Sequence, residues 1–197
     1  MAFIGMRHVV VAKITERPEN AAPTYSAGMV AGKAITGNLT INRNSNPLYA
    51  DDVIAEEDNG ITSMSLELGL DDLLEDVQAY MGLLKEVTSS GASGDEKTYY
   101  ETAKSADNVG VGYIRVRKKN GVTKYQAIWI YDALFGRTAE NSQTKGETIE
   151  WQTSTITGTC MGQYISTVDP SEAVFRQIKM FDTSAEAETW LDGLAGI

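Results

Sequence analysis

The chain of 197 residues contains a single cysteine, Cys160, and a single histidine, His8. One thiol excludes an intrachain disulfide and any zinc site built on two or four cysteines. It fits a reducing compartment without requiring one. One imidazole removes most histidine-based catalysis and most transition-metal sites. Cations are scarce as well: 17 Lys and Arg stand against 27 Asp and Glu, for a net charge of -10. Affinity for nucleic acid comes from neutralising phosphates with Lys and Arg, so this chain repels DNA rather than gripping it. That charge still suits a protein that lets DNA pass without binding it. No apolar run reaches the roughly 20 residues of a membrane helix. The opening MAFIGMRHVVVAKITE has no basic stretch ahead of an apolar one and reads as a strand, not a signal peptide.

What is present is a foldable core. Hydrophobic residues make up 42% of the chain, and the length suits one domain over 1–197. Met6–Ile14 and Ala34–Ile41 read as strands, with Pro18 and Pro23 bracketing a turn between them. Residues 42–60 (NRNSNPLYADDVIAEEDNG) are polar, acidic and without periodicity, and predict a long loop, a feature that is usually functional or disordered. In Ile61–Leu68, Thr62, Met64, Leu66 and Leu68 alternate with Ile61, Ser63, Ser65 and Glu67, the pattern of a half-buried strand. From Leu70 the period changes. Leu70, Leu73, Leu74, Val77, Tyr80 and Met81 predict a helix over about 70–84, with Asp71, Asp72, Glu75 and Asp76 at its positive end. The Gly/Ser-rich segment 88–95 predicts a flexible loop.

Residues 109–159 are the most informative. Asn120-Gly121 is a strong hairpin turn signal. A two-residue turn there places Val116 opposite Tyr125, Ile114 opposite Ala127, Gly112 opposite Trp129 and Gly110 opposite Tyr131. Two rings would then cover two glycines. Val111 with Ile130 and Tyr113 with Ile128 make the other face apolar too, so the hairpin needs cover on both sides, from a helix and from a neighbouring sheet or subunit. Arg117 opposes Lys124, and like charges facing each other are unfavourable; this basic tip seeks an acidic partner. Thr148–Thr159 predicts a third strand, Gln163–Val168 and Ala173–Met180 weaker ones. Thr183-x-x-Glu186 is a capping box, and Ala187, Trp190, Leu191 and Leu194 form the stripe of a short C-terminal helix at about 184–194.

The chemistry-bearing residues do not assemble into a catalytic set. Asp51, Asp52, Glu56, Glu57 and Asp58 lack the alternating ligand spacing of a calcium loop and read as a solvated or interface segment. Gly110-x-Gly112 lacks the third glycine and the following helix of a dinucleotide fingerprint. His8 reads as structural and Cys160 as a small hydrophobe. Asp71/Asp72 and Glu147/Glu150 read as helix-start or strand-edge charges rather than glycosidase carboxylates. Arg115, Arg117, Lys118, Lys119 and Lys124 read as an ion-paired subunit contact. No cofactor or metal is implied.

Several segments, in order, resemble the major tail protein family of long-tailed bacteriophages, the tail-tube subunits. They are the opening strand, LYADD at 48–52 with the acids after it, SLELGLDDLLEDVQAYMG at 65–82, VGVGYIRVRKKNGVTKYQAIWIYDALFG at 109–136 and TKGETIEWQTSTITGT at 144–159. The last two are the most specific, and residues 85–105 and 160–180 the least similar. The resemblance implies a mainly β, tail-tube-like sandwich or barrel with one packed helix and a short C-terminal one. It implies hexameric rings stacked into a tube that carries DNA into the host cell, with DNA as non-specific cargo. The implied partners are further copies, a tape-measure protein, and tail terminator and distal tail proteins. The implied location is the virion tail, assembled in the bacterial host cytoplasm. Charge alone nominates Tyr49, Asp51, Asp52, Glu56 and Glu57 for ring stacking, with Lys118, Lys119 and Lys124 as their complement. Residues 42–60 and 88–95 are expected to be mobile in the monomer, the former ordering on assembly. Two alternatives compete. One is the tube of a contractile tail or related injection device. The other is a monomeric β-sandwich that binds carbohydrate or a cell surface through Trp129, Trp151 or Tyr125.

Overall fold

The runs rich in Val, Ile and Thr form strands in the computed structural model, which describes residues 2–50, 53–91, 94–137 and 153–197. The order is β1 (Ala2–Glu16), β2 (Thr24–Gly32), β3 (Ala34–Arg43), β4 (Asn46–Ala50), β5 (Val53–Asp58), β6 (Ile61–Leu70), α1 (Glu75–Tyr80), β7 (Lys85–Gly91) and β8 (Gly94–Tyr100). It continues with β9 (Asn108–Lys119), β10 (Val122–Arg137), β11 (Ser154–Cys160), β12 (Gln163–Ile165), β13 (Asp169–Val174), β14 (Arg176–Phe181) and α2 (Ser184–Ala195). Among the described residues the fold is mainly β with two helices, one of them C-terminal, and the sheets do not close into a barrel.

The main sheet runs β2-β1-β9-β10-β11-β6-β3, with β14 added beside β10. β10 changes partner along its length: Tyr125–Ile130 pair with β14, and Ala133–Arg137 with β11. The change falls at a register shift between Ile130 and Ala133. A β-bulge bends its strand and strengthens the twist, which lets one long strand serve two directions of the sheet. β1 bends in the same way between Arg7 and Val10, where His8 takes a φ of 52°.

Both faces of the β1-β9-β10 region are buried. On one, Val9, Val11, Val111, Tyr113, Ile128 and Ile130 pack with Leu66, Leu68 and Leu70 of β6, Ile156 of β11, and Leu73, Val77 and Met81 around α1. On the other, Val10, Ala12, Ile114, Ala127 and Trp129 pack beneath Ala187, Leu191 and Ala195 of α2. The cover expected from a neighbouring sheet or subunit thus comes from this chain, whose sheet curls so that β6 and β11 back the hairpin. The capping box of α2 is formed: Thr183 Oγ1 accepts from the Glu186 N–H, and Glu186 Oε2 accepts from the Thr183 N–H.

The hairpin register is as expected from Val122 to Ile130, with Gly112 opposite Trp129 and Ile114 opposite Ala127. Asn120 and Gly121 both have positive φ, 51° and 81°. The expected pair of Gly110 with Tyr131 does not form, because the bulge intervenes. Trp129 covers both glycines instead: a Cβ on Gly112 would lie 2.8 Å from the ring, and one on Gly110 2.7 Å from it. Tyr25 of β2 meets the same ring edge-on at 5.0 Å between centroids.

Three further expectations are corrected. The helix expected over 70–84 occupies only Glu75–Tyr80. Leu70 ends β6, and Asp71 Oδ1 accepts the N–H groups of Lys33 and Asp72 in a turn. Gly82, at φ 74°, ends the helix in the left-handed conformation that glycine tolerates best. The described residues of the expected 42–60 loop form a β-ribbon instead. Arg43 pairs with Ile61, the Asn44 N–H donates to Gly60 O at 2.8 Å, and Asn46 pairs with Asp58, so β4 and β5 prolong the β3–β6 ladder. The described residues of the expected 88–95 loop, 88–91 and 94–95, likewise pair as β7 and β8. Ser154–Cys160 forms the third strand, and residues 138–152, with the start of that expected strand, Glu147, Glu150 and Trp151, lie outside the described residues.

Candidate assembly surfaces

Among the described residues, the strands of the β4–β5 arm pair only with each other. Tyr49 lies in β4 with Ile54 as its cross-strand partner. Asp51 and Asp52 lie outside the described residues. Glu56 and Glu57 are exposed on β5, paired with Leu48 and Pro47, and Ser45 Oγ donates to Glu57 Oε1 at 3.1 Å. Val53 and Ile54 are 63% and 55% exposed on the same strand. The arm tip is therefore acidic and apolar at once. A two-stranded ribbon is marginally stable in water by itself, so apolar side chains on it favour a partner.

Lys118 and Lys119 are exposed where β9 enters the turn, and Lys119 pairs with Val122. Lys124 stands opposite Arg117 as expected, and its ammonium is bound by Asp182, just past β14. The acidic partner of this lysine is thus in its own chain. Among the described residues, no ion pair joins Glu56 or Glu57 to Lys118, Lys119 or Lys124.

Beside the basic tip lies a face on which sequence reasoning placed the apolar pair Tyr113 and Ile128 and, nearer the turn, charges. Strand pairing sets Phe3 beside Arg117 and Lys124 in one row, Met6, Arg115, Gln126 and Met180 in a second, and Tyr113, Ile128 and Ile178 in a third. The Arg115 and Arg117 guanidinium carbons sit 4.0 and 4.8 Å from the Phe3 ring centroid, a cation–π arrangement. Phe3, Ile178 and Met180 are each between 43% and 46% exposed.

The buried polar groups are structural. Asp132, in the β10 bulge, accepts from Asn108 Nδ2 at 2.7 Å and Gln163 Nε2 at 3.0 Å, and pairs with Arg17 at 2.9 Å. This carboxylate joins the end of β1, the start of β9, and β12. Its signal was legible in the sequence: one acid inside the apolar run WIYDALF requires partners. His8 Nε2 lies 2.7 Å from Asp192 Oδ1 and ties the β1 bulge to α2. Cys160 is buried in the β6-side core, and burial pushes its thiol up to about 11. Burial also raises Tyr25, Tyr113 and Tyr131. Asp76 is held below its usual value first by the Tyr99 hydroxyl and then by Lys97, which fastens α1 to β8.

Among the described residues no group of three His, Cys, Asp or Glu converges on a point where a metal ion would sit, and no helix is long and apolar enough to cross a membrane. Of the aromatic residues nominated for sugar binding, Trp129 is fully buried, Tyr125 is half-buried beneath Arg7, and Trp151 lies outside the described residues. The class defined by fold and surface is a mainly β protein that carries an acidic-apolar arm and a half-buried cationic-apolar sheet face. No family model and no curated protein matches the chain.

Proposed function

We propose that this protein is a structural, non-enzymatic, self-assembling subunit: the major tail-tube protein of a long-tailed phage or prophage, forming hexameric rings that stack into a DNA-conducting tube. The observation that carries the reading is the β4–β5 arm. It continues from the β3–β6 pair through the Asn44–Gly60 hydrogen bond, pairs among the described residues only with itself, and carries exposed Val53 and Ile54 among acids. Edge strands β2 and β3 supply a second means of joining, since unpaired strand edges are templates for pairing between chains. A heterologous contact that closes on itself makes a ring. The net charge of -10 fits a conduit that lets phosphates slide. The resemblance of 109–136 and 144–159 to the tail-tube family supplies the rest of the reading, including the tape-measure, terminator and distal tail proteins as partners and the virion tail as location.

Negative-stain microscopy and sedimentation of concentrated protein test the reading. Rings or tubes with a central hole are the expected result. A species that stays monomeric at every concentration and salt level, and that binds a glycan, would overturn it.

A further inference from the structure

The Arg115/Arg117 face has an unusual combination of properties. Several cations of this chain already have anionic neighbours: Arg17 has Asp132, Lys97 has Asp76 and Glu86, Lys13 has Asp107, and Lys124 has Asp182. Among the described residues, no carboxylate lies within ion-pair distance of Arg115 or Arg117. Both are instead stacked on Phe3, and strand pairing puts Ile178 and Met180 two strands away on the same face. A guanidinium pair fixed by stacking loses little side-chain freedom when it binds a carboxylate, and its forked geometry suits that ligand. Around it lie three large apolar side chains that the chain leaves half in water.

The arm tip has the complementary chemistry. Glu56 and Glu57 have no cation among the described residues, and Val53 and Ile54 are exposed beside them. We propose that the arm tip of a second copy of this chain docks one face of its ribbon on the Phe3–Arg115–Arg117–Ile178–Met180 face, an acid on the guanidinium pair and the aliphatic side chain that shares its side of the ribbon (Ile54 with Glu57, Val53 with Glu56) on Ile178 and Met180. The inference rests on the reading of the chain as a self-assembling subunit. It moves the receiving site from the lysine tip, where Lys124 is already occupied by Asp182, to the arginine face beside it. Opposite charges across an interface set register and partner choice, so this contact selects which surface of the neighbour the arm meets.

The test is a charge swap in the full chain, with folding checked by circular dichroism. Arg115→Glu/Arg117→Glu and Glu56→Lys/Glu57→Lys are each expected to lower the assembled fraction about tenfold or more, because like charges then face each other. Carrying both pairs of changes in one chain restores assembly. Should the arginine variant fold poorly, Ile178→Asp/Met180→Asp alters only exposed side chains and is expected to cause the same loss. Wild-type protein that assembles while the face variants assemble equally well overturns the docking and leaves the tube reading standing. Wild-type protein that never assembles overturns both. Loss in each single swap without recovery in the combined one also rejects the pairing, since it shows that the two patches meet other surfaces.

Discussion

Replacing Gly112 by alanine adds one methyl group at the point where three elements converge. The new Cβ would lie 2.8 Å from Leu191 Cδ2, 2.8 Å from Trp129 Cε3 and 2.9 Å from Val10 Cγ2. Carbon atoms pack best at about 3.5–4.0 Å, so each neighbour has to retreat by more than half an ångström. Leu191 has rotamer freedom on α2. Trp129 does not, because Tyr25 meets its ring edge-on and both glycines lie beneath it. Overpacking of this kind costs about 1–3 kcal/mol. Removing a glycine from a strand returns about 0.5–1 kcal/mol, leaving a net loss of about 1–1.5 kcal/mol. For a chain of this size that lowers Tm by about 2–4 °C per kcal/mol. Gly193 is the internal control. It lies in the last turn of α2 with nothing within 4 Å of an added Cβ, so Gly193→Ala stabilises by up to about 1 kcal/mol through helix propensity. Urea unfolding followed by tryptophan fluorescence separates the two variants by about 2 kcal/mol. If Gly112→Ala proves as stable as wild type, the convergence of α2, β1 and the indole on that glycine is wrong.

Four other outcomes are expected. Asp132→Ala strands the donors of Asn108, Gln163 and Arg17 around an emptied buried position and costs about 3 kcal/mol in urea unfolding; a loss under about 1 kcal/mol would contradict the bonding described. Cys160 stays unreactive to a thiol reagent at mildly alkaline pH, its thiol being buried and raised to about 11, and reacts fully in denaturant; rapid labelling of native protein would refute its burial. The Asp76 carboxyl is depressed in the fold, so its contribution to stability is present above the unfolded value of 3.8 and is lost as pH falls through its lower folded value. Hydrogen exchange in β7–β8 should accelerate in that acid range, and Asp76→Asn should abolish the pH dependence. Replacing 47–57 by a short Asn-Gly turn leaves Tm unchanged, because among the described residues β4 and β5 pair only with each other, yet removes assembly; a large fall in Tm would mean that the arm packs on the core.

What the sequence made legible was set by periodicity and by local turn chemistry. The Asn120-Gly121 turn fixed the register from Val122 to Ile130 without help from the rest of the fold, and Thr183 with Glu186 marked the start of α2. The helical spacing of Leu73, Val77 and Met81 was right about burial and wrong about extent. Leu70 shares that spacing but is buried from the end of a strand, which periodicity cannot distinguish in so short a stretch. The arm was hidden for a different reason. A ribbon with water on both faces has no inside or outside to alternate between, so 42–60 reads as a loop although its backbone is a ladder. The β7–β8 hairpin escaped on the same ground. The arginine face was visible as charge but not as a site. Phe3, Ile178 and Met180 reach it from opposite ends of the chain, and only the pairing of β1, β9, β10 and β14 brings them together.

The double cover of the hairpin alters the meaning of its two apolar faces. By sequence alone, those faces invite a neighbouring subunit. In the fold, α2 closes one and β6, β11 and the region around α1 close the other. Trp129, Ile128 and Ile130 are fully buried within a single chain. Any joining of copies therefore has to use what remains: strand edges, the arm, and the part of the sheet beyond the reach of its own covers. That part begins where the core ends, at Arg115, and runs to the turn. Along it the pairing partners shift from Ile128 and Tyr113, both buried, to Gln126 with Arg115 and Lys124 with Arg117. The exposed apolar side chains of Ile178 and Met180 lie along the same stretch of β14. A monomer gains nothing from leaving them in water, because each buried methylene contributes about 0.8 kcal/mol. Their position, next to two arginines with no carboxylate at ion-pair distance among the described residues, fits a partner that is both apolar and acidic, and the arm tip is a segment of this chain that is both.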